Sequence, residues 1–116
     1  MNTYEAIFIS PHLDDAALSC GGKIAQYTQQ HKAVLVVTAF TKGSNYYSKD
    51  SYKFLAQTGE KNAIDLFRKR LMEDSKALRK LGAESHYLGL TDGLFRIMPV
   101  LFCGFNVTQR SVYPTF

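Results

Sequence analysis

Apolar and polar positions fall into blocks that read as strand, helix, strand, helix, strand. Tyr4 to Ser10 is a short, mostly apolar run, and Ile7 and Ile9 favour a strand. Ala16 to Gln30 places Ala17, Leu18, Ile24 and Ala25 at helical spacing, and His31 ends that pattern. Gly21-Gly22 inside this helix weakens it, so a close approach of helix to sheet is the expected reason for the pair. Ala33 to Phe40 is valine-rich and almost continuously apolar, the signature of a buried parallel strand. Thr41 to Gly59 is mostly polar, with Gly43, Ser44 and Asn45 followed by Tyr46, Tyr47, Tyr52 and Phe54, and reads as a long loop. Glu60 to Leu81 carries Ile64, Phe67, Leu71, Leu78 and Leu81 at helical spacing, starts between Glu60 and Asp65, and stops at Gly82. Ser85 to Leu90 is a third short strand, turned by Thr91-Asp92-Gly93. Val100 to Val107 is apolar enough for a fourth strand, and Gln109 to Phe116 reads as an exposed tail.

Strand, helix, strand is a crossover unit. The predicted fold is therefore α/β, a Rossmann-like three-layer sandwich with a mostly parallel sheet. The chain's 116 residues suffice for one domain and one core. Composition leaves that picture unchanged: 46% hydrophobic and 21% charged residues are ordinary for a globular protein. No stretch approaches a transmembrane span, and the start lacks a charged-then-apolar leader, which points to the cytoplasm. Two cysteines, Cys20 and Cys103, set no disulfide framework, and Cys20 reads as a small core residue. The net charge of +4 gathers on Arg68, Lys69, Arg70, Lys76, Arg79 and Lys80, with Glu73 and Asp74 interleaved. That is a solvated helix face, and nucleic acid is not an expected partner.

The candidate chemistry sits in Pro11-His12-Leu13-Asp14-Asp15, where the first strand gives way to the first helix. In an open parallel sheet, such strand-to-helix turns lie at the carboxyl ends of the strands, where ligands bind. His12 and Asp15 are spaced i, i+3, so an imidazole nitrogen and a carboxylate oxygen can meet one ion. That donor pair suits zinc, with bonds of about 2.0–2.2 Å. Zinc acidifies water to a pKa near 7. Asp14, between the two ligands, is placed to take that proton as general base. The plain alternative is that Asp14 or Asp15 only caps the helix. A phosphate or nucleotide site at Gly21-Gly22 is a third reading that the pattern disfavours, because a phosphate loop puts its glycines before the helix and two aspartates would repel an anion.

The run Pro11-His12-Leu13-Asp14-Asp15, followed by Leu18 and Gly21-Gly22, resembles the signature of the LmbE-like (PIG-L) zinc-dependent deacetylases. These remove an acetyl group from N-acetylglucosamine-type amino sugars and related amides. The resemblance implies that His12 and Asp15 are zinc ligands and Asp14 the catalytic base. It also implies an N-acetylated amino sugar or its conjugate as substrate. Arg70, Glu73, Ala77 and Leu81-Gly82 follow the spacing of a second family stretch, whose arginine contacts substrate or a catalytic carboxylate. The local alternative for Arg70 is an i, i+4 pair with Asp74. Asp92 matches an aspartate-bearing turn of the family and is a candidate substrate-binding residue, although Asp-Gly is also ordinary turn chemistry. Arg96 is a further candidate contact. Within the same resemblance, the 41–59 loop is either a substrate cover whose tyrosines stack on a sugar or a mobile surface loop.

Residues 1–98 thus read as the N-terminal part of a deacetylase-like α/β domain, and 99–116 as an unassigned strand and tail. The family's third zinc ligand is a later histidine, and no histidine follows His86. His31 lies about 24 Å up the first helix from Asp15. His86 begins a strand, at the end facing away from the site. Asp92 is the one replacement suggested by position. The chain is about half the usual length for the family, so the sequence suggests either an N-terminal fragment or a small protein with altered chemistry. The alternative function is accordingly a non-catalytic metal-binding or interaction domain derived from such an enzyme. A half-sheet with an uncovered edge also predicts a homo-oligomer, or another partner, that completes the sheet.

Overall fold

A computed structural model describes residues 3–96. Three strands, β1 (Ala6–His12), β2 (Val34–Lys42) and β3 (Glu84–Thr91), form one sheet in the order β1-β2-β3. Both neighbouring pairs are parallel, with Ile7 opposite Leu35, Ile9 opposite Val37 and His12 opposite Phe40. Helices α1 (Asp15–Gln29) and α3 (Ala63–Lys80) pack against the sheet and against each other. They therefore share one face of the sheet. Their common core is Ala16, Ile24, Val34, Val36 and Leu78, with Cys20 packed at its margin. The α/β class and the parallel sheet are as the sequence predicts. Of the three expected layers, the described residues build two.

The opposite sheet face is apolar and open among the described residues. Ile9 is 74% exposed and Ile7, Leu88 and Leu90 are about half exposed. Ile7, Ile9 and Leu88 point away from the helices, as the period-2 alternation of strand side chains requires, and Leu90 follows a register shift at Gly89.

Three elements differ from expectation. β1 runs two residues past Ser10, so His12 is its last residue and stands on the strand end itself. The extension follows the pairing with β2, which also continues two residues beyond Phe40. Residues 41–59 are not a loop throughout: they contain α2 (Lys49–Thr58). Ser48 caps α2 by accepting the Ser51 N–H, Asp50 lies in the first turn, and Gly59 closes it in the left-handed conformation. Gly21 and Gly22 are not sites of close approach. A Cβ on Gly21 would make ordinary contact with Leu81 at 3.8 Å, and one on Gly22 would meet nothing within 4 Å.

The close approach lies elsewhere, at Gly43. A Cβ there would stand 2.7 Å from the Ala63 Cβ and 2.8 Å from its carbonyl oxygen. The N-terminus of α3 thus rests on bare backbone at the end of β2. Asn62 caps α3 by accepting the Asp65 N–H at 2.8 Å. A second, aromatic core forms at this end from Ala63, Phe67 and Phe95, with Tyr47 and Phe54 packed on it. Phe95 meets Phe67, Tyr47 and Phe54 edge-on, at centroid distances of 5.8, 6.1 and 6.3 Å. The proposed strand at 100–107 and the tail at 109–116, and with them the boundary at residue 98, lie outside the described residues.

Candidate metal centre

The carboxyl ends of β1 and β3 carry three of the predicted site residues. His12 ends β1, Asp15 opens α1, and Asp92 follows β3. His12 Nδ1 lies 3.4 Å from Asp15 Oδ2, and His12 Nε2 lies 3.7 Å from Asp92 Oδ2. The imidazole is thus flanked by a carboxylate on each nitrogen, and its ring lies 5.9 Å from that of Phe40. Two ligands at tetrahedral zinc, with bonds of about 2.1 Å, are about 3.4 Å apart. The His12–Asp15 pair therefore fits two adjacent positions on one zinc ion. A catalytic zinc takes three protein ligands. Among the described residues no group of three His, Cys, Asp or Glu side chains is placed to hold one metal ion, so Asp92 does not complete the set. It faces the other nitrogen of His12, where a carboxylate orients a ligating histidine and fixes its tautomer. His31 and His86 stand away from the site: His31 follows α1 with φ 60°, and His86 is near the start of β3.

Asp14 occupies the N-cap position of α1, but its carboxylate does not cap the helix. Its backbone is left-handed, with φ 71° and ψ −17°. That conformation is uncommon outside glycine and tolerated best by Asn and Asp. The Asp14 N–H donates to Asp74 Oδ1 at 2.9 Å, and the Tyr87 hydroxyl donates to Asp74 Oδ2 at 2.8 Å. Burial first, and then the negative charges of Asp74 and Glu73, raise the Asp14 carboxyl above its ordinary pKa. The Arg70 guanidinium opposes them, and Asp15 adds a smaller upward push. Tyr87 is pushed up to about 12, by burial and then by its hydrogen bond to Asp74.

A cavity of about 370 Å³ opens beside the pair, lined by His12, Asp15, Arg70 and Asp92 on its polar side and by Phe40, Phe54, Phe67 and Leu94 on its apolar side. Four of the five predicted site residues therefore meet around one cavity. Asp14 is not among its lining residues and sits behind it, near Arg70, Glu73 and Asp74. Arg70 reaches the cavity because α3 starts at Ala63, which puts it about 10 Å along the helix. It does not pair with Asp74; its guanidinium stacks on Phe54, 5.4 Å from the ring centroid. Asp92 also does turn chemistry, accepting the Leu94 N–H at 3.1 Å.

Two candidates serve the fold. Arg96 donates to the Thr91 carbonyl at 2.9 Å and lies over Phe40. Tyr47 is packed between Tyr52 and Phe95, and its hydroxyl accepts the Ala63 N–H at 3.1 Å. Tyr46, Tyr47 and Tyr52, expected to stack on a substrate, are not among the lining residues of the cavity, and Phe54 of the same segment is. Asp74 and Tyr87 are the residues that sequence reasoning missed. Their signal is weak: a carboxylate in line with Phe67 and Leu78 on the inner face of α3, and a tyrosine on the helix-facing side of β3.

Solved structures show the same arrangement of chain. A deacetylase of teicoplanin biosynthesis, in complex with teicoplanin, is 34% identical with a TM-score of 0.74, over 81% of this chain and 37% of that one. The zinc-inhibited form of a teicoplanin deacetylase matches equally, at 34% identity and a TM-score of 0.74, over 81% of this chain and 36% of that one. A 4-carboxy-2-hydroxymuconate hydratase from Pseudomonas putida is 26% identical with a TM-score of 0.59, over 78% and 36% of the two chains. This chain therefore spans well under half the length of each structure. No curated protein matches it significantly. The family model described as PIG-L, GlcNAc-PI de-N-acetylase, matches residues 7–107, which takes in the His12–Asp15 turn, the α3 stretch and the Asp92 turn. The chain belongs to the GlcNAc-PI de-N-acetylase (PIG-L) family.

Proposed function

We propose that this chain supplies the histidine–aspartate half of a zinc-dependent deacetylase centre, acting on the N-acetyl group of an amino sugar or its conjugate. The observation that carries the proposal is the 3.4 Å separation of His12 Nδ1 and Asp15 Oδ2, with Asp14 between them and its carboxylate left out of the helix cap. Zinc, when bound, supplies a Lewis acid for the acyl oxygen and lowers the pKa of water. The remaining steps belong to this chain's own groups. An Asp14 carboxylate oxygen takes the proton of the attacking water and returns it to the nitrogen of the leaving amine. Burial and the charges of Asp74 and Glu73 raise its pKa, the direction that helps a base hand its proton on. Asp92 holds the His12 ring, and Arg70 presents its guanidinium to a substrate hydroxyl or acyl oxygen across the cavity. The apolar wall of Phe40, Phe54 and Phe67 receives the less polar face of the substrate and excludes water.

The test is zinc content per chain after metal-free purification and reloading, alongside His12→Ala and Asp15→Ala. Binding that either substitution abolishes, with release of acetate from an N-acetylglucosamine-type substrate, is the expected result. Zinc uptake indifferent to both substitutions overturns the proposal.

A second reading is favoured by the lack of a third ligand among the described residues. It makes the chain a non-catalytic metal-binding or interaction domain derived from the family. Weak zinc binding without acetate release selects it. Self-association through the sheet face of Ile7, Ile9 and Leu88, open among the described residues, belongs to either reading. Sedimentation equilibrium is expected to give a mass above the 13.1 kDa monomer, and a monomer at every concentration overturns that part.

A further inference from the structure

Asp74 is 1% exposed and stands in the core-facing row of α3 with Leu66, Phe67 and Leu78. An aspartate is almost never buried so completely without partners, because the carboxylate gives up its hydration. An apolar side chain is the default at such a position. Here both carboxylate oxygens are used, and neither partner belongs to α3. Oδ1 accepts the backbone N–H of Asp14, 60 residues away in sequence, and Oδ2 accepts the hydroxyl of Tyr87 on β3. Tyr87 thus holds the carboxylate, and the carboxylate holds the turn.

The group it holds is the unusual one. Asp14 is in the left-handed region, a conformation that costs free energy for a residue other than glycine and persists where its surroundings enforce it. As the N-cap residue it has an N–H that no turn of α1 can satisfy. Asp74 gives that N–H a charged acceptor, so the clamp and the strained conformation support each other. The left-handed step falls between His12 and Asp15, which face each other and both line the cavity.

We propose that Asp74, steadied by Tyr87, is a positioning residue that fixes the main chain of Asp14 and thereby the aim of its carboxylate. The proposal rests on the assignment of Asp14 as the base. A clamp on the main chain leaves the Asp14 carboxylate unencumbered, which a hydrogen bond to that carboxylate would not.

Three substitutions test it in the full chain. Asp74→Leu removes the acceptor, Asp74→Asn keeps an oxygen for the Asp14 N–H and can donate to the Tyr87 oxygen, and Tyr87→Phe leaves Asp74 with one donor. The first readout is the Asp14 amide proton, by chemical shift and hydrogen exchange, in metal-free protein. It is expected downfield and protected in the unsubstituted chain and in Asp74→Asn, and shifted upfield with fast exchange in Asp74→Leu. Zinc affinity, set by His12 and Asp15, is expected unchanged in all three. With an N-acetylglucosamine-type substrate, Asp74→Leu is expected to lower kcat by about 100-fold at constant KM, the cost of a misaimed reacting group. Asp74→Asn is expected to restore kcat, and Tyr87→Phe to fall between the two. An Asp14 amide indifferent to Asp74→Leu overturns the clamp, as does an Asp74→Asn variant that behaves like a folded Asp74→Leu. If Asp74→Leu does not fold, Tyr87→Phe decides: an unchanged amide and an unchanged kcat overturn the proposal. Failure of the base assignment is separate, since Asp14→Asn would then leave kcat intact while the amide result stood.

Discussion

Two aspartates head two turns on the same rim of the sheet, and the fold holds them in opposite ways. Asp92 heads the Gly93–Phe95 turn, and its carboxylate accepts the Leu94 N–H. Asp14 heads α1, and its carboxylate accepts nothing from the helix, while its backbone N–H is gripped by Asp74. In the first turn the side chain is committed to the fold. In the second the main chain is committed and the side chain is left over. A carboxylate that caps a helix contributes stability. One that accepts nothing from the helix it heads adds no such stability and stays available for chemistry. The same residue type, in the same position relative to a helix, thus serves two ends according to which of its atoms are held.

The sharpest way to break this contrast is Asp14→Asn. It is expected to lower deacetylation by about 10²–10⁴-fold, the usual worth of a general base, with thermal stability and zinc content unchanged. Asp92→Ala should behave otherwise and lose on two counts. Melting should report the loss of a cap, about 1 kcal/mol. Zinc affinity should fall about 10–100-fold, because the ring of His12 loses its carboxylate neighbour. If Asp92→Ala alters stability alone, the two turns share less than their geometry suggests. Asp14→Gly sharpens the comparison from the other side. Glycine relieves the left-handed backbone, so stability should hold or rise by up to about 1 kcal/mol while activity is lost. The smallest effect is spectroscopic. One of the seven tyrosines should ionise at about 12 in the folded chain, read by phenolate absorbance, and Tyr87→Phe should remove that component. The sign follows from linkage. The folded pKa lies above the unfolded value near 10, so this group's contribution to stability is complete below about pH 10 and is lost as pH rises toward 12.

The sequence made the rim of the sheet legible and its supports illegible. His12 and Asp15 were readable because their donor types and i, i+3 spacing are local, and Asp92 because Asp-Gly after an apolar run marks a turn. The succession of strands along the chain and the long α3 are read from periodicity, whereas the order of the strands in the sheet is not. Asp74 was not readable as a support. On a helix rich in Arg and Lys it looks like the partner of Arg70 at i, i+4, and only the packing of α3 against the sheet turns it inward to Asp14 and Tyr87. The α2 helix was hidden for a related reason. Its residues are mostly polar, and its hold on the fold comes from Leu55, which is buried, and Phe54, which packs on the aromatic core around Phe95. The Gly21-Gly22 pair misled because a glycine in a helix suggests crowding, whereas the crowded glycine was Gly43, in a segment without periodicity.

That contact at Gly43 has a reach beyond its own neighbourhood. Where α3 meets the end of β2, main chain touches the first helical residue with no side chain between them. The helix is a stiff rod, so its starting height sets the height of every residue along it. Arg70 and Asp74 are about two and three turns further on. A methyl group at position 43 would lift the rod at one end and carry the guanidinium and the buried carboxylate off their marks together. The residue with the least chemistry in the chain thus acts as the datum from which the alignment of the rim is measured.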